Sequence, residues 1–346
     1  MAFVFSLVTF VAMETLSFSF IIPVYNRPEE IRELLESFVA LEGDFNFEIV
    51  IVEDGSSIRS EDIVTNFSDE LNIAYFYKEN SGPGDSRNFG MKKASGNYFI
   101  ILDSDVILPS NYLVEVDNFL SKTYYDCFGG PDAAHPSFSN LQKAINFSMT
   151  SFITTGGIRG GKKQVEDFQP RSFNMGLSKK AFEESGGFGK IHPGEDPDLS
   201  LRLKQLGYKT TLIKNAFVYH KRRISWTKFY KQVHKFGLVR PILNQWHPTS
   251  ESLVYWLPTL FTLTFILAIT LSVFGIMLPL YIFLSYFIIA FLMAFYVNKN
   301  SIVALLALIA IVVQFFGYGY GFLWSTLNIK LLNKIPEERF PQLFFN

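Results

Sequence analysis

Tyr98-Phe99-Ile100-Ile101-Leu102-Asp103-Ser104-Asp105 decides how this chain is read. Five apolar residues in succession, bounded by polar ones, fit a strand buried on both faces. Two carboxylates follow immediately, two positions apart. At a strand end they can converge on one site. Their hard oxygens suit Mg²⁺ or Mn²⁺, which in turn bind phosphate oxygens. Most Asp-x-Asp triplets are solvated turns, so the weight here comes from the strand before it.

Upstream, the same pattern recurs. Residues 17–24 (Ser-Phe-Ser-Phe-Ile-Ile-Pro-Val) read as a strand, and Pro28 opens a helix with Ile31, Leu34, Leu35 and Phe38 on one face. Phe47 to Val52 is a second strand, ending in Glu53-Asp54-Gly55-Ser56. A weaker helix covers 60–70, Ile73 to Tyr77 is a third strand, and 85–95 is helical after Gly82-Pro83-Gly84. Alternating strands and helices predict an α/β, Rossmann-like domain with a mostly parallel sheet and right-handed crossovers. Ligands of such sheets bind beyond the carboxyl ends of the strands, where Asp54, Asp103 and Asp105 fall. Asp54 there can accept hydrogen bonds from a base or ribose, or simply form an Asp-Gly turn. Arg87 follows a helix start, a place that attracts anions such as a diphosphate.

Downstream, 110–170 is turn-rich and gives no clear pattern; it includes Gly156-Gly157 and Gly160-Gly161. A strand at 173–177 precedes a helix at 179–185 and Gly186-Gly187-Phe188. The loop 189–197 carries Glu195-Asp196, and a helix at 197–206 precedes a strand-like stretch, 209–219, ending at His220. Asp196 can act as a general base, or cap the next helix with Pro197 at its first position. His220 can complete a metal site as a neutral imidazole.

Charge divides the chain. Its formal net charge is −1, which gives no support to a nucleic-acid partner. Its single cysteine, Cys127, allows neither an internal disulfide nor a thiolate cluster. Residues 221–240 carry Lys221, Arg222, Arg223, Lys228, Lys231, Lys235 and Arg240 with no acidic residue, and aromatics recur near helical spacing. A basic, aromatic helix of this kind lies in a lipid headgroup layer. Three uncharged apolar stretches follow, at 253–274, 278–297 and 302–324, each long enough to cross a ~30 Å hydrocarbon core. The basic cluster places the preceding domain on the cytoplasmic face of a multi-pass membrane protein. Three crossings would put the tail outside, whereas Lys330, Lys334 and Arg339 fit two crossings plus a re-entrant or interfacial segment. The expected organisation is 1–16, an apolar extension with a possible start at Met13; 17–220, catalytic; 221–250, interfacial; 251–327, two or three transmembrane helices; and 328–346, a tail.

The ordered set of pieces resembles the family 2 glycosyltransferases of GT-A fold. They are Ser19 to Asn26, Val52-Glu53-Asp54-Gly55-Ser56, Gly82-Pro83 through Arg87-Asn88 and Gly90, and Ala94-Ser95-Gly96. Leu102-Asp103-Ser104-Asp105, Gly186-Gly187-Phe188 and Gly194-Glu195-Asp196-Pro197-Asp198-Leu199 with Arg202 complete it, so the likeness covers 17–220. The resemblance implies hexosyl transfer from a UDP- or GDP-sugar to a glycan or lipid-linked acceptor of the cell envelope. It implies that Pro23, Tyr25 and Glu53 line the nucleotide pocket, that Asp54 holds the base, and that Arg87 lies near the phosphates. Asp103 would touch the ribose or metal, Asp105 would be the main Mg²⁺ or Mn²⁺ ligand, and His220 a third contact. Asp196, beside Glu195, would be the catalytic base of an inverting reaction. Processive members of the family carry Gln-x-x-Arg-Trp near the membrane, where this chain has Gln232-Val233-His234-Lys235-Phe236, so a non-processive enzyme is expected. A polyprenyl-phosphate glycosyltransferase and a non-catalytic nucleotide-sugar-binding subunit are the alternatives.

Overall fold

A computed structural model describes residues 15–156, 168–221 and 225–345. Most of the apolar extension, Met13, Gly157, Gly160-Gly161, Arg222 and Arg223 lie outside the described residues. Strands β1 (Phe18–Val24), β2 (Phe47–Asp54), β3 (Ile73–Lys78) and β4 (Tyr98–Leu102) are parallel, in the order β3-β2-β1-β4. Helices α1 (Pro28–Val39), α2 (Glu61–Thr65) and α3 (Pro83–Lys93) connect them. Alternation along β1 sends Phe20 and Ile22 into one core with Ile31, Leu34 and Phe38 of α1. Ile21 faces the opposite core with Met91 of α3. Gly90 lets α3 lie close on the sheet, because a Cβ there would stand 2.7 Å from Ile21 Cγ2.

Past β4 the chain departs from simple alternation. Next come β5 (Val106–Ile107), α4 (Tyr112–Leu120), β6 (Cys127–Gly129), β7 (Asp132–Ala133), α5 (Asn140–Thr150) and α6 (Phe152–Thr155). Then β8 (Asn174–Ser178), α7 (Lys179–Ser185), α8 (Glu195–Gln205), β9 (Thr210–Leu212) and β10 (Val218–His220) follow. The expected strand at 173–177 is β8, and it runs antiparallel to β4 with Leu102 opposite Asn174. The stretch 209–219 is not one strand. A turn in which Ala216 N–H donates to Ile213 O divides it into β9, on the main sheet, and β10, between β5 and β7. The helix expected at 197–206 begins two residues earlier. Its N-cap is Gly194, so Asp196 is not the cap. The difficult region 110–170 contains α4 and α5, the latter opened by a Ser139–Gln142 capping box.

The C-terminal part is built on α9 (Trp226–Trp246), α10 (Leu257–Val273), α11 (Leu278–Asn298) and α12 (Ser301–Thr326). Three segments, Leu253–Val273, Leu278–Asn298 and Ser301–Leu331, are long and apolar enough to cross a membrane. The first two leave almost all of their apolar surface uncovered, whereas the third is about half covered. The cover on α12 comes from α5 at its first half, where Ala144 and Phe147 meet Val303, Ala304 and Ala307. Along its second half it comes from α9. Glycines bring those two backbones together: a Cβ on Gly237 would lie 2.2 Å from Tyr318 O, and one on Gly321 2.4 Å from His234 O. The basic helix expected at 221–240 thus buries Phe229 and Val233 against the protein. Beyond α12 the chain returns to the α/β domain, where Leu343 O accepts from His192 N at 2.7 Å.

Candidate active site

The turn after β4 places Asp103 and Asp105 at the sheet's carboxyl edge. Strand β10 pairs antiparallel with β5, setting His220 opposite Val106 and bringing its ring to the same edge. His220 Nε2 lies 3.2 Å from Asp105 Oδ1 and 4.0 Å from Asp103 Oδ2. One potential ligand atom from each of Asp103, Asp105 and His220 falls within 4.8 Å of the others. Two hard carboxylates and one imidazole fit a divalent cation, the nitrogen suiting Mn²⁺ better than Mg²⁺. Arg27 pairs with the other Asp105 oxygen. Burial alone would raise the Asp105 carboxyl, but His220 and Arg27 overcome it and hold it well below the usual carboxylate range.

Arg87 is the bridge between this edge and the loop before α8. Its buried guanidinium donates to Asp103 Oδ1 at 2.7 Å and to Glu195 Oε1 at 3.0 Å. His192 Nδ1 stands 3.0 Å from the same Glu195 oxygen. Burial opposes the Glu195 charge, yet His192 and Arg87 together hold its carboxyl down at about 2. Glu195 is thereby a fixed anion. Its neighbour Asp196 is held loosely: Ser172 N–H is 3.4 Å and Arg171 Nη1 3.9 Å from Oδ2. Burial raises the Asp196 carboxyl above its ordinary value, with Arg171 pulling the other way and Glu195 adding to the rise. One acid is locked in a network, whereas the adjacent one is held by longer contacts and has a raised carboxyl.

The residues assigned to the nucleotide divide by burial. Tyr25 is exposed at the end of β1, and Pro23 is partly covered. Asp54 ties down the 78–82 turn, accepting from Lys78 Nζ at 2.8 Å, Ser81 N at 3.0 Å and Gly82 N at 3.0 Å. Glu53 is wholly buried, accepting from Ser56 Oγ, Ser60 N and Tyr75 OH. Its carboxylate shapes the loop after β2 from beneath. Arg27, Lys78, Arg171 and His192 were absent from the sequence reading. Arg27, Lys78 and Arg171 are single charged residues whose partners are distant in sequence, and His192 stands in a loop three residues before its partner Glu195.

A cavity of about 1080 Å³ joins this edge to the apolar helices. Arg87, Asp103, Glu195, Asp196 and His220 line one end. Phe261 and Thr264 of α10, Tyr286 of α11 and Phe315 of α12 line the other. Between them runs one face of α9 with Lys228, Lys231, Gln232 and Lys235. Those lysines have no ion-pair partner among the described residues. Pro23, Tyr25, Glu53, Asp54 and Asp105 lie outside its lining.

Residues 19–186 match the family described as "Glycosyl transferase family 2". An uncharacterized glycosyltransferase of Rickettsia typhi is 40% identical over 104 residues, 30% of this chain and 32% of that protein. The poly(ribitol-phosphate) beta-N-acetylglucosaminyltransferase TarS of Staphylococcus aureus is 33% identical over 116 residues, 32% of this chain and 20% of that protein. The chain therefore spans a third or less of the length of these curated relatives. Among solved structures, the mannosyltransferase PcManGT of Pyrobaculum calidifontis, in complex with GDP-Man and Mn²⁺, superposes with a TM-score of 0.60. That match covers 89% of this chain and 87% of the other at 13% identity, and it shows a shared GT-A fold.

Proposed function

We propose that the protein, whose residues 19–186 match the glycosyl transferase family 2 model, transfers a hexose from a UDP- or GDP-sugar to a lipid-linked envelope glycan, inverting the anomeric carbon, one sugar per encounter. The observation that carries the acceptor class is the continuous cavity. It has Asp103, Asp196 and His220 at one end and side chains of α10, α11 and α12 at the other. A soluble acceptor needs no such route, whereas a lipid-linked one can keep its chain among the helices while its sugar reaches the acids.

In this reading the donor lies across the carboxyl ends of β1, β2 and β4, with Tyr25 and Asp54 at the base and Arg87 behind the diphosphate. Asp103, Asp105 and His220 would hold Mg²⁺ or Mn²⁺, which supplies neutralisation of the charge growing on the nucleoside diphosphate. Asp196 accepts the proton of the acceptor hydroxyl. The hydroxyl oxygen bonds to the anomeric carbon from one face as the bond to the diphosphate breaks on the other. One displacement inverts that carbon and needs no covalent enzyme intermediate. Glu195, fixed by Arg87 and His192, orients the start of α8 and hence Asp196.

The lysines on α9 that line the cavity, without an ion-pair partner among the described residues, favour a second reading, in which a polyprenyl phosphate is itself the acceptor. A phosphate oxygen is already anionic and needs no base. Transfer assays with Asp196→Asn separate the two: activity falls by about 10²–10⁴-fold if a hydroxyl is the acceptor, and survives if a phosphate is. A protein that binds donor with Mn²⁺ yet neither transfers nor hydrolyses it would instead be a non-catalytic binding subunit.

The fold also favours two crossings over three. Helices α10 and α11 form a hairpin whose open end rests on α12, with Phe261 ringed to Phe315 at 4.4 Å. Helix α12 lies along α5 and α9, and the chain after it rejoins the α/β domain. In this arrangement α10 and α11 cross, α12 stays in the near leaflet, and both the catalytic domain and residues 336–345 face the cytoplasm.

A further inference from the structure

Residues 336–345 reach back from the membrane part and close on the loop that carries the site's acids. We infer that this segment is a strap that positions His192 and Glu195 for the transfer reaction, tying the catalytic loop to the end of α12. The inference rests on the transferase reading for its kinetic arm only.

Both ends of the strap are fixed. At the α12 end, Arg339 Nε donates to Asn328 Oδ1 at 2.7 Å, and its guanidinium lies 5.2 Å from the Trp324 ring. At the loop end, His192 N–H donates to Leu343 O at 2.7 Å and Phe345 N–H donates to Lys190 O at 3.0 Å. Ile191 and Phe344 form an antiparallel bridge between the two. The loop thus borrows an edge partner from a segment about 150 residues later. The backbone hydrogen bonds fix both neighbours of Ile191, which is itself buried with Phe340 and Leu343.

What the strap holds is chemically specific. The Phe345 ring sits 5.9 Å from the His192 ring. It also covers Gly82, where a Cβ would stand 2.4 Å from the Phe345 ring. His192 in turn meets the Glu195 oxygen that accepts from Arg87, whose other terminal nitrogen donates to Asp103. A displaced strap leaves the loop without its partner, and Glu195 then loses one of the two side chains that hold its oxygen.

Hydrogen–deuterium exchange on the full-length protein in lipid nanodiscs tests this without any assumption about activity. Comparing wild type with a Phe344→Ala/Phe345→Ala double variant, we expect the amides of residues 190–193 to exchange at least tenfold faster, while β1 and β4 are unchanged and so report an intact fold. Phe345→Tyr should keep the wild-type pattern. In transfer assays the double variant should lose at least tenfold in kcat with donor KM within twofold, and Phe345→Tyr should restore kcat. Unchanged exchange in the loop overturns the strap. Faster exchange with unchanged kcat overturns its positioning role. A wild-type protein inert toward every donor counts against the transferase reading, and the exchange result then decides the strap by itself.

Discussion

Glu195 and Asp196 are adjacent, yet their surroundings assign them opposite tasks. Glu195 meets the Arg87 guanidinium and the His192 ring at 3.0 Å, and its carboxyl is held down. Asp196 has one cation at 3.9 Å and a carboxyl raised by burial. A base must be deprotonated to act, so a raised pKa means that the rate falls with acidity sooner than for an ordinary aspartate. Arg171 works against that rise. Arg171→Gln should therefore move the acidic limb of the kcat profile to higher pH, and a pH–rate series with both proteins checks it. Glu195→Gln removes the neighbouring charge that adds to that rise, so it should lower kcat and move the limb to lower pH. The pair could be picked out from Gly194-Glu195-Asp196-Pro197 in the sequence. Which acid is locked could not, because Arg87 reaches Glu195 and Arg171 reaches Asp196 only through the folded chain.

At the level of elements, the four parallel strands and their helices were legible because each strand is an apolar run ended by a polar turn. The failures have physical causes. Strands β9 and β10 merge in sequence because the turn between them contains apolar Ile213 and Ala216, both buried. Helix α5 was missed because its apolar face meets α12 and α11, so its pattern makes sense only beside a membrane helix. The α9–α12 crossing is sensitive to a single atom. Gly237→Leu would drive a side chain into the backbone at Tyr318. Overpacking of this kind costs about 1–3 kcal/mol. We expect a lower unfolding temperature in detergent and loss of transfer, with Lys228→Ala, on the exposed start of the same helix, unfolding normally.

On the scale of the whole molecule, an α/β domain, a supporting helix and an apolar hairpin surround one cavity. The hairpin makes a topological prediction that uses the chain's own chemistry. Cys127 is buried, and burial pushes its thiol pKa up, so it should resist a membrane-impermeant maleimide. Ile276→Cys at the hairpin tip should label from the outside of intact cells, and Glu337→Cys only after permeabilisation. The most direct measurement addresses the acidic edge. A thermal-shift series on the purified full-length protein would compare UDP- and GDP-sugars with and without Mn²⁺, in wild type and in Asp103→Ala/Asp105→Ala. A donor at a hundredfold excess over its Kd stabilises the folded state by about 2.7 kcal/mol. We expect a rise of several degrees for one donor class that needs both Mn²⁺ and the two aspartates. An equal rise without the cation or in the double variant, or none with any nucleotide sugar, would contradict it.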